Sequence, residues 1–469
     1  MIHVGLEKHG PWRLTAWFGL TLVVAASQAF AQPTAGSQAS TNAAGESTGP
    51  GAAGTPGAAG VAGAEAEQPY AEEPVIEISV ASEQMPVLLV VPKTEADTAL
   101  AQQIAAEIEL TGLFNVKTAE SLKLGPGLPQ RTKWPALTTA AVVVENVPDS
   151  VSFPKVISDT HHASEPDVKR HRELTRYPGT DAIMPSVMAD AIVEDVVGSR
   201  AHMSGKILFA DGSTHGERSI RVMRPNGTTS RRVSGFGDLA RGGDFDAQMR
   251  AWYASEDRAG KLQLFQEGGK GPVTVSAPGY VQSVSFSPDG KHMVLSMGEG
   301  TRVRTWLGTS PQQGEFLPLD SSKTALSPSV NDQGHVVHAM GPTKKGPFSV
   351  YANGKRVSPA GVWAAMPSFC STLVEERVVF MTRAGRSWNL RITSLTSGAS
   401  RVIAHKGMAP SCSPDGKTVA FYSPGLYGQG PGIYLVADFG GKARKVWSGQ
   451  ASGLRWRGGE KLPTKTIVR

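Results

Sequence analysis

Cysteine, aromatic residues and long apolar runs are scarce in this sequence, and each scarcity excludes a class of protein. Only Cys370 and Cys412 occur in 469 residues, so no cysteine stands near the N-terminus to accept a lipid. The apolar run at 17–26 contains Thr21 and is followed by Ser27 and Gln28, whereas a membrane span needs about 20 predominantly apolar residues. Aromatic residues make up 7% of the chain and are not interleaved with the scattered Lys and Arg. The net charge of +6 therefore does not build a base-stacking nucleic-acid surface, and it suits acidic partners instead. A Gly-x-Ser-x-Gly nucleophile elbow is also missing.

What is present begins with an export signal. Lys8 and Arg13 precede the apolar run and Ala29-Phe30-Ala31 supplies a small-x-small cleavage pattern, which places a signal peptide at 1–31 with cleavage before Gln32. Residues 32–72 form a linker, of which 33–68 are almost wholly Ala, Gly, Ser, Thr and Pro. With nothing large to bury, such a segment cannot offset its conformational entropy and reads as a flexible tether, a partner-binding tail being the alternative.

Residues 73–203 change character. Strands are expected at 75–80, 87–91, 114–117 and 140–145, the second a continuous apolar run of the kind buried on both faces. Leu100, Ile104 and Ile108 recur every fourth residue, with Gly112 as a stop, and predict an amphipathic helix at 98–110. Met188, Ile192 and Val196 stripe a second helix that starts after Pro185 and stops at Gly198. These elements amount to a small α/β domain.

Beyond it the chain repeats. The turn Ser413-Pro414-Asp415-Gly416 recurs at Ser287-Pro288-Asp289-Gly290. Proline presets φ, aspartate bonds its own backbone two residues on, and glycine accepts positive φ. Residues 409–413, 418–422, 432–437 and 442–447 alternate as four short strands around the second copy. Phe245, Phe286, Val330, Phe369, Cys412 and Arg455 take one place in successive first strands, at separations of 41, 44, 39, 43 and 43. Residues 331–334 keep the aspartate and glycine of the turn, and 371–376 keep neither. A four-stranded unit of this length is the sign of a β-propeller blade. The first piece, at 206–210, 219–223 and 229–233, lacks a first strand, and the last, at 452–456, is a first strand with nothing after it. Pairing the two makes 204–457 six blades of about 42 residues and removes the open sheet edges. Residues 458–469 are left as a tail, too few to hold a hydrolase domain.

The expected architecture is an α/β N-terminal domain followed by an all-β six-bladed β-propeller. It resembles the TolB family of the Tol-Pal system, and local runs carry the likeness. Leu110-Thr111-Gly112-Leu113-Phe114 closes the first helix as in that family. Met188-Ala189-Asp190-Ala191-Ile192 and Val197-Gly198 lead into Lys206-Ile207-Leu208-Phe209-Ala210 as its second helix leads into the first blade. Ile220-Arg221-Val222-Met223, Asn226-Gly227 and Arg231-Arg232-Val233 are similar to its blade ending, and Val284-Ser285-Phe286-Ser287-Pro288-Asp289-Gly290-Lys291 to its blade beginning. The resemblance covers 75–457. It implies a non-enzymatic periplasmic scaffold that holds a Pal-like lipoprotein at the mouth of the propeller channel and links it to a TolA-like inner-membrane protein. Outer-membrane integrity, cell division and protein import are the processes it implies. Where the family has a short apolar segment implied to contact TolA, this chain has the low-complexity tether.

Candidate partner-binding residues at the mouth are those expected just before the first strands: Tyr280, Gln282, Ser283, Leu326 and Met408. The alternative is an envelope propeller that binds a glycan or another ligand, for which Tyr280 and Trp363 are the aromatic candidates. No cofactor or metal is implied. Asp159, His161, His162, Glu165 and Asp167 have ligand chemistry but no zinc spacing, and read as a polar loop. His335 and His338 straddle a strand and face opposite sides. Gly428, Gly430 and Gly432 join two strands without opening a helix, which argues against a phosphate loop. Arg231, Arg232, Arg444 and Lys445 fall on outer, solvated strands. Cys370 and Cys412 lie in neighbouring blades one place out of register, which leaves their pairing open.

Overall fold

Strand β1 (Val87–Pro92) is buried along its whole length because both its faces are covered. Leu88 and Val90 share a core with helices α1 (Thr98–Leu110) and α2 (Met184–Val197), whereas Leu89 and Val91 pack with Leu122, Leu124 and Trp134. This computed structural model describes residues 85–148, 154–212, 217–235, 239–256, 260–309, 315–319, 323–343, 345–459 and 464–468. The expected signal peptide at 1–31, tether at 32–72 and strand at 75–80 lie outside the described residues. No helix among these is long and apolar enough to cross a membrane.

Helix α1 buries Ala101, Ile104, Ala105 and Ile108, each isoleucine contributing about 2 kcal/mol of apolar transfer. It stops where Gly112 takes a φ of 73°. Pro185 stands in the first turn of α2, where its missing N–H costs nothing, and Gly198 caps the other end in the left-handed conformation. Strands β2 (Asn115–Thr118) and β3 (Thr138–Val147) flank β1 in parallel. The sheet then continues antiparallel through β4 (Lys155–His162) and β5 (Lys169–Thr175) to a final strand, Thr464–Val468.

Two expectations are corrected here. Asp159, His161 and His162 belong to β4, not to a polar loop, and Glu165 and Asp167 lie in the turn that joins it to β5. The inward positions of β4 are Val156, Ser158, Thr160 and His162, so the apolar alternation that marks a half-buried strand is absent. Residues 458–469 are not merely a tail, because Thr464–Val468 covers the β5 edge, pairing Thr466 with Arg172. The inner strand at the end of the propeller therefore does have a strand after it.

The six-bladed propeller follows. Blades three to six are complete four-stranded meanders, while blade two has three strands and an isolated bridge at Val273. Blade one is closed by the late strand Ala451–Arg457 on Lys206–Asp211, with Trp456 opposite Ile207. Backbone pairing moves the sixth register position from Arg455 to Trp456. The amides of Phe286, Phe369 and Trp456 each bond the side chain one place before the register residue of the preceding blade, namely Asp244, Ser329 and Ser411. The step from Cys412 to Trp456 is thus 44 residues, one more than the sequence count allowed.

Each repeat turn is held as its residues require. Ser413 Oγ donates to Asp415 and accepts from the Thr418 amide, and Gly416 N donates to Ser413 O at 2.8 Å. Gly416 has a φ of 72°, and a Cβ there would lie 2.3 Å from Ser371 O of the neighbouring blade. Cys370 and Cys412 are joined as a disulfide, their Cα atoms 5.2 Å apart. Cys370 stands just past the inner strand of blade five (Ala364–Phe369), beside the Gly416 turn of blade six; register along a strand does not capture that neighbourhood.

The α/β domain is docked on the turn end of blades six and one. One hydrophobic core runs from Ile104 and Ile192 through Ile207, Phe209, Leu435 and Trp456. Lys417 Nζ donates to Val197 O at 3.2 Å, Thr418 Oγ1 to Thr111 O at 3.1 Å, and Asn226 Nδ2 to Glu107 at 2.5 Å. Asp190 accepts hydrogen bonds from Met203 N, Ser204 N and Ser204 Oγ, which ties α2 to the segment entering blade one. Burial pushes the Asp190 carboxyl up to about 6, against the opposing pull of these donors.

Candidate partner-binding channel

Four of the six inner strands carry the same irregularity. Pairing slips between Leu326 and Ser329, Ala365 and Ser368, Met408 and Ser411, and Ser452 and Arg455. Within each slip one residue turns left-handed: Ser327 at φ 51°, Met366 at 51°, Ala409 at 48° and Gly453 at 59°. The next residue is Pro328, Pro367, Pro410 or Leu454. Proline has no N–H for the ladder and is tolerated at a bulge, whereas a non-glycine residue in this conformation costs about 1–2 kcal/mol. The bulges line the axis of the propeller and, with blades two and three, enclose a cavity of about 260 Å³.

The floor of that cavity is guanidinium. One place before the register residue the blades carry Asp244, Ser285, Ser329, Ser368 and Ser411, and then Arg455. Arg455 Nη2 donates to Pro328 O on the opposite blade at 3.1 Å, and Nη1 to Leu454 O at 3.0 Å. Its nearest carboxylate, Asp244, lies 3.8 Å from Nε. Asp244 already accepts from Arg457 at 3.0 and 2.7 Å, from Ser285 Oγ and from the Phe245 and Phe286 amides. Burial, ahead of any pairing, lowers the Arg455 guanidinium from its ordinary value.

At the mouth stand Arg218 and Arg241, the latter paired with Glu256 at 2.5 Å. Burial, and then Arg241, lower Arg218 from its ordinary value. This mouth lies at the end of the propeller away from the α/β domain, because Arg218 and Ser452 belong to the strand ends opposite those that carry Lys417 and Asn226.

The five candidate residues lie within the inner strands, not before them. Tyr280 is the first residue of Tyr280–Phe286 and lays its ring over Gly298 across the ladder, where a Cβ would be 2.2 Å from a ring carbon. Gln282 sits in the slip between Val281 and Ser283. Leu326 and Met408 are half-buried and immediately precede the left-handed Ser327 and Ala409. Of the five, only Ser283 lines the cavity. The sequence reading missed Arg218, Arg241, Arg455 and the bulges, although Pro328-Ser329, Pro367-Ser368 and Pro410-Ser411 repeat at blade spacing. Trp363 is engaged internally, edge-on to Trp388 at 5.7 Å and beneath Arg383.

Elsewhere, Asp159 lies below its ordinary value although burial opposes this, because Lys169 and His171 bond it at 2.7 Å each. Burial lowers both His161 and His162. His338 is buried in its strand and His335 is exposed beside Glu376. Among the described residues no group of three or more His, Cys, Asp or Glu side chains is placed to hold a metal ion.

No protein-family model matches the sequence, and no curated protein does. Among solved structures, TolB from Acinetobacter baumannii superposes with a TM-score of 0.64 at 16% identity, over 80% of this chain and 96% of that one. A TolB described as putative, from Agrobacterium tumefaciens, matches 57% of this chain and 98% of its own at 15% identity and a TM-score of 0.41. The fold is thus TolB-like, at a sequence distance that leaves function to be argued from the site.

Proposed function

We propose that this chain is a periplasmic, non-enzymatic scaffold of TolB type, exported by the signal at 1–31. Its channel mouth docks a Pal-like lipoprotein of the outer membrane, and the protein links that lipoprotein to a TolA-like inner-membrane partner. In this role it supports outer-membrane integrity, cell division and protein import. One observation carries the reading: the likeness to a TolB structure extends over 96% of that chain, head and propeller together, and the head leaves the channel mouth uncovered. A left-handed bulge in four blades turns backbone groups towards the axis, which suits a protein segment that enters the channel.

The test is a titration of the purified chain with the soluble domain of a Pal-like lipoprotein from the same envelope. Tyr280→Ala combined with Ser283→Ala should weaken binding by about tenfold, or 1.4 kcal/mol. Equal affinity for the double variant would remove the mouth as the docking site, and no binding to the native chain would remove the reading.

A further inference from the structure

Three residues that line the channel cavity each hold a buried donor with no hydrogen-bond partner among the described residues: Arg218 Nε, Arg455 Nε and Ser283 Oγ. A buried donor left unpaired costs about 1–3 kcal/mol, which a small turn of these side chains towards the cavity would recover against a ligand that accepts hydrogen bonds. The charges agree. Arg455 and Arg457 share the single carboxylate of Asp244, and Arg218 and Arg241 share that of Glu256. Among the described residues each set keeps one positive charge in excess, and no carboxylate lines the cavity. Behind low-dielectric walls such an excess attracts an anion more strongly than it would in water.

We infer that the central cavity is a receptor for a carboxylate group, held between Arg455 at the floor and Arg218 at the rim with the Ser283 hydroxyl donating. A space of about 260 Å³ admits a small dicarboxylate or one acidic side chain. The inference goes beyond lipoprotein docking and stands whether or not a protein occupies the mouth.

Isothermal titration of the full chain with malonate, and separately with N-acetylglutamate amide, tests it and separates the two sources of a carboxylate. The tighter ligand identifies the source. Malonamide is the neutral control at matched ionic strength. Binding should weaken at least tenfold in Arg455→Met and in Arg218→Met, and partly recover in Arg455→Lys. Should Arg455→Met fail to fold, Arg218→Met and Ser283→Ala carry the test. Saturable heat from neither acid, equal heat from malonamide, or unchanged affinity in Arg218→Met would overturn it.

Discussion

The two ends of the propeller are built on opposite terms. At the turn end an apolar joint dominates: Trp456 seals a core shared with the head, Asp190 has three donors and Ser413 closes its own turn, while Asp415 Oδ2, Glu107 Oε2 and Ser371 Oγ find no partner among the described residues. At the mouth end the backbone is held left-handed at Ser327, Met366 and Ala409, and two arginines and a serine leave donors unmet. Local consistency is what stabilises a fold, and its local violation marks places kept for function. Left-handed residues such as Thr229 and Met249 occur at the turn end too, so what sets the ends apart is the shared apolar core at one and the charged, bulged axis at the other.

The strongest way to break the comparison is at the seal. Trp456→Ala should destabilise by about 3–5 kcal/mol, read from urea unfolding, because the side chain fills the joint between closing strand and head. A loss below about 1 kcal/mol would mean that closure does not depend on it.

The second concerns Asp190. Its native value of about 6 exceeds its ordinary 3.8, so the native state holds the proton more tightly than the unfolded chain. That contribution is complete below about pH 4 and is lost as the pH rises through about 6. Over this window the native protein should lose on the order of 2 kcal/mol more than Asp190→Asn. Parallel urea midpoints against pH for the two proteins would contradict it.

The smallest effect sharpens the contrast directly. Ala409→Gly at the mouth should gain about 1 kcal/mol by relieving the left-handed strain, while Gly416→Ala at the turn end should lose at least as much, since it adds both strain and a clash with Ser371 O. Thermal midpoints that move in the same direction for both would erase the distinction.

What the sequence made legible follows the same division. The serine–proline–aspartate–glycine turns and helix α1 declare themselves because short-range chemistry alone forces their conformation. Strand β4 stayed hidden since Ser158 and Thr160 face inward where apolar residues would signal a strand. The cavity stayed hidden for another reason. Blade lengths vary by a residue or more, so counting along the chain put Arg455 in the place that Trp456 holds and passed over the guanidinium at the axis. Which cysteine meets which depends on how one blade turns against the next, a relation no single strand records.

The strands Ala451–Arg457 and Thr464–Val468 complete, respectively, the first blade and the outer edge of the head sheet. Neither half can reach its finished shape before residues 451–468 have emerged, so during synthesis both seams stay open while everything before them is already made. Loss of Thr464–Val468 would leave β5 as a bare template for pairing with another molecule, so a cut there would be felt almost 300 residues earlier in the sequence.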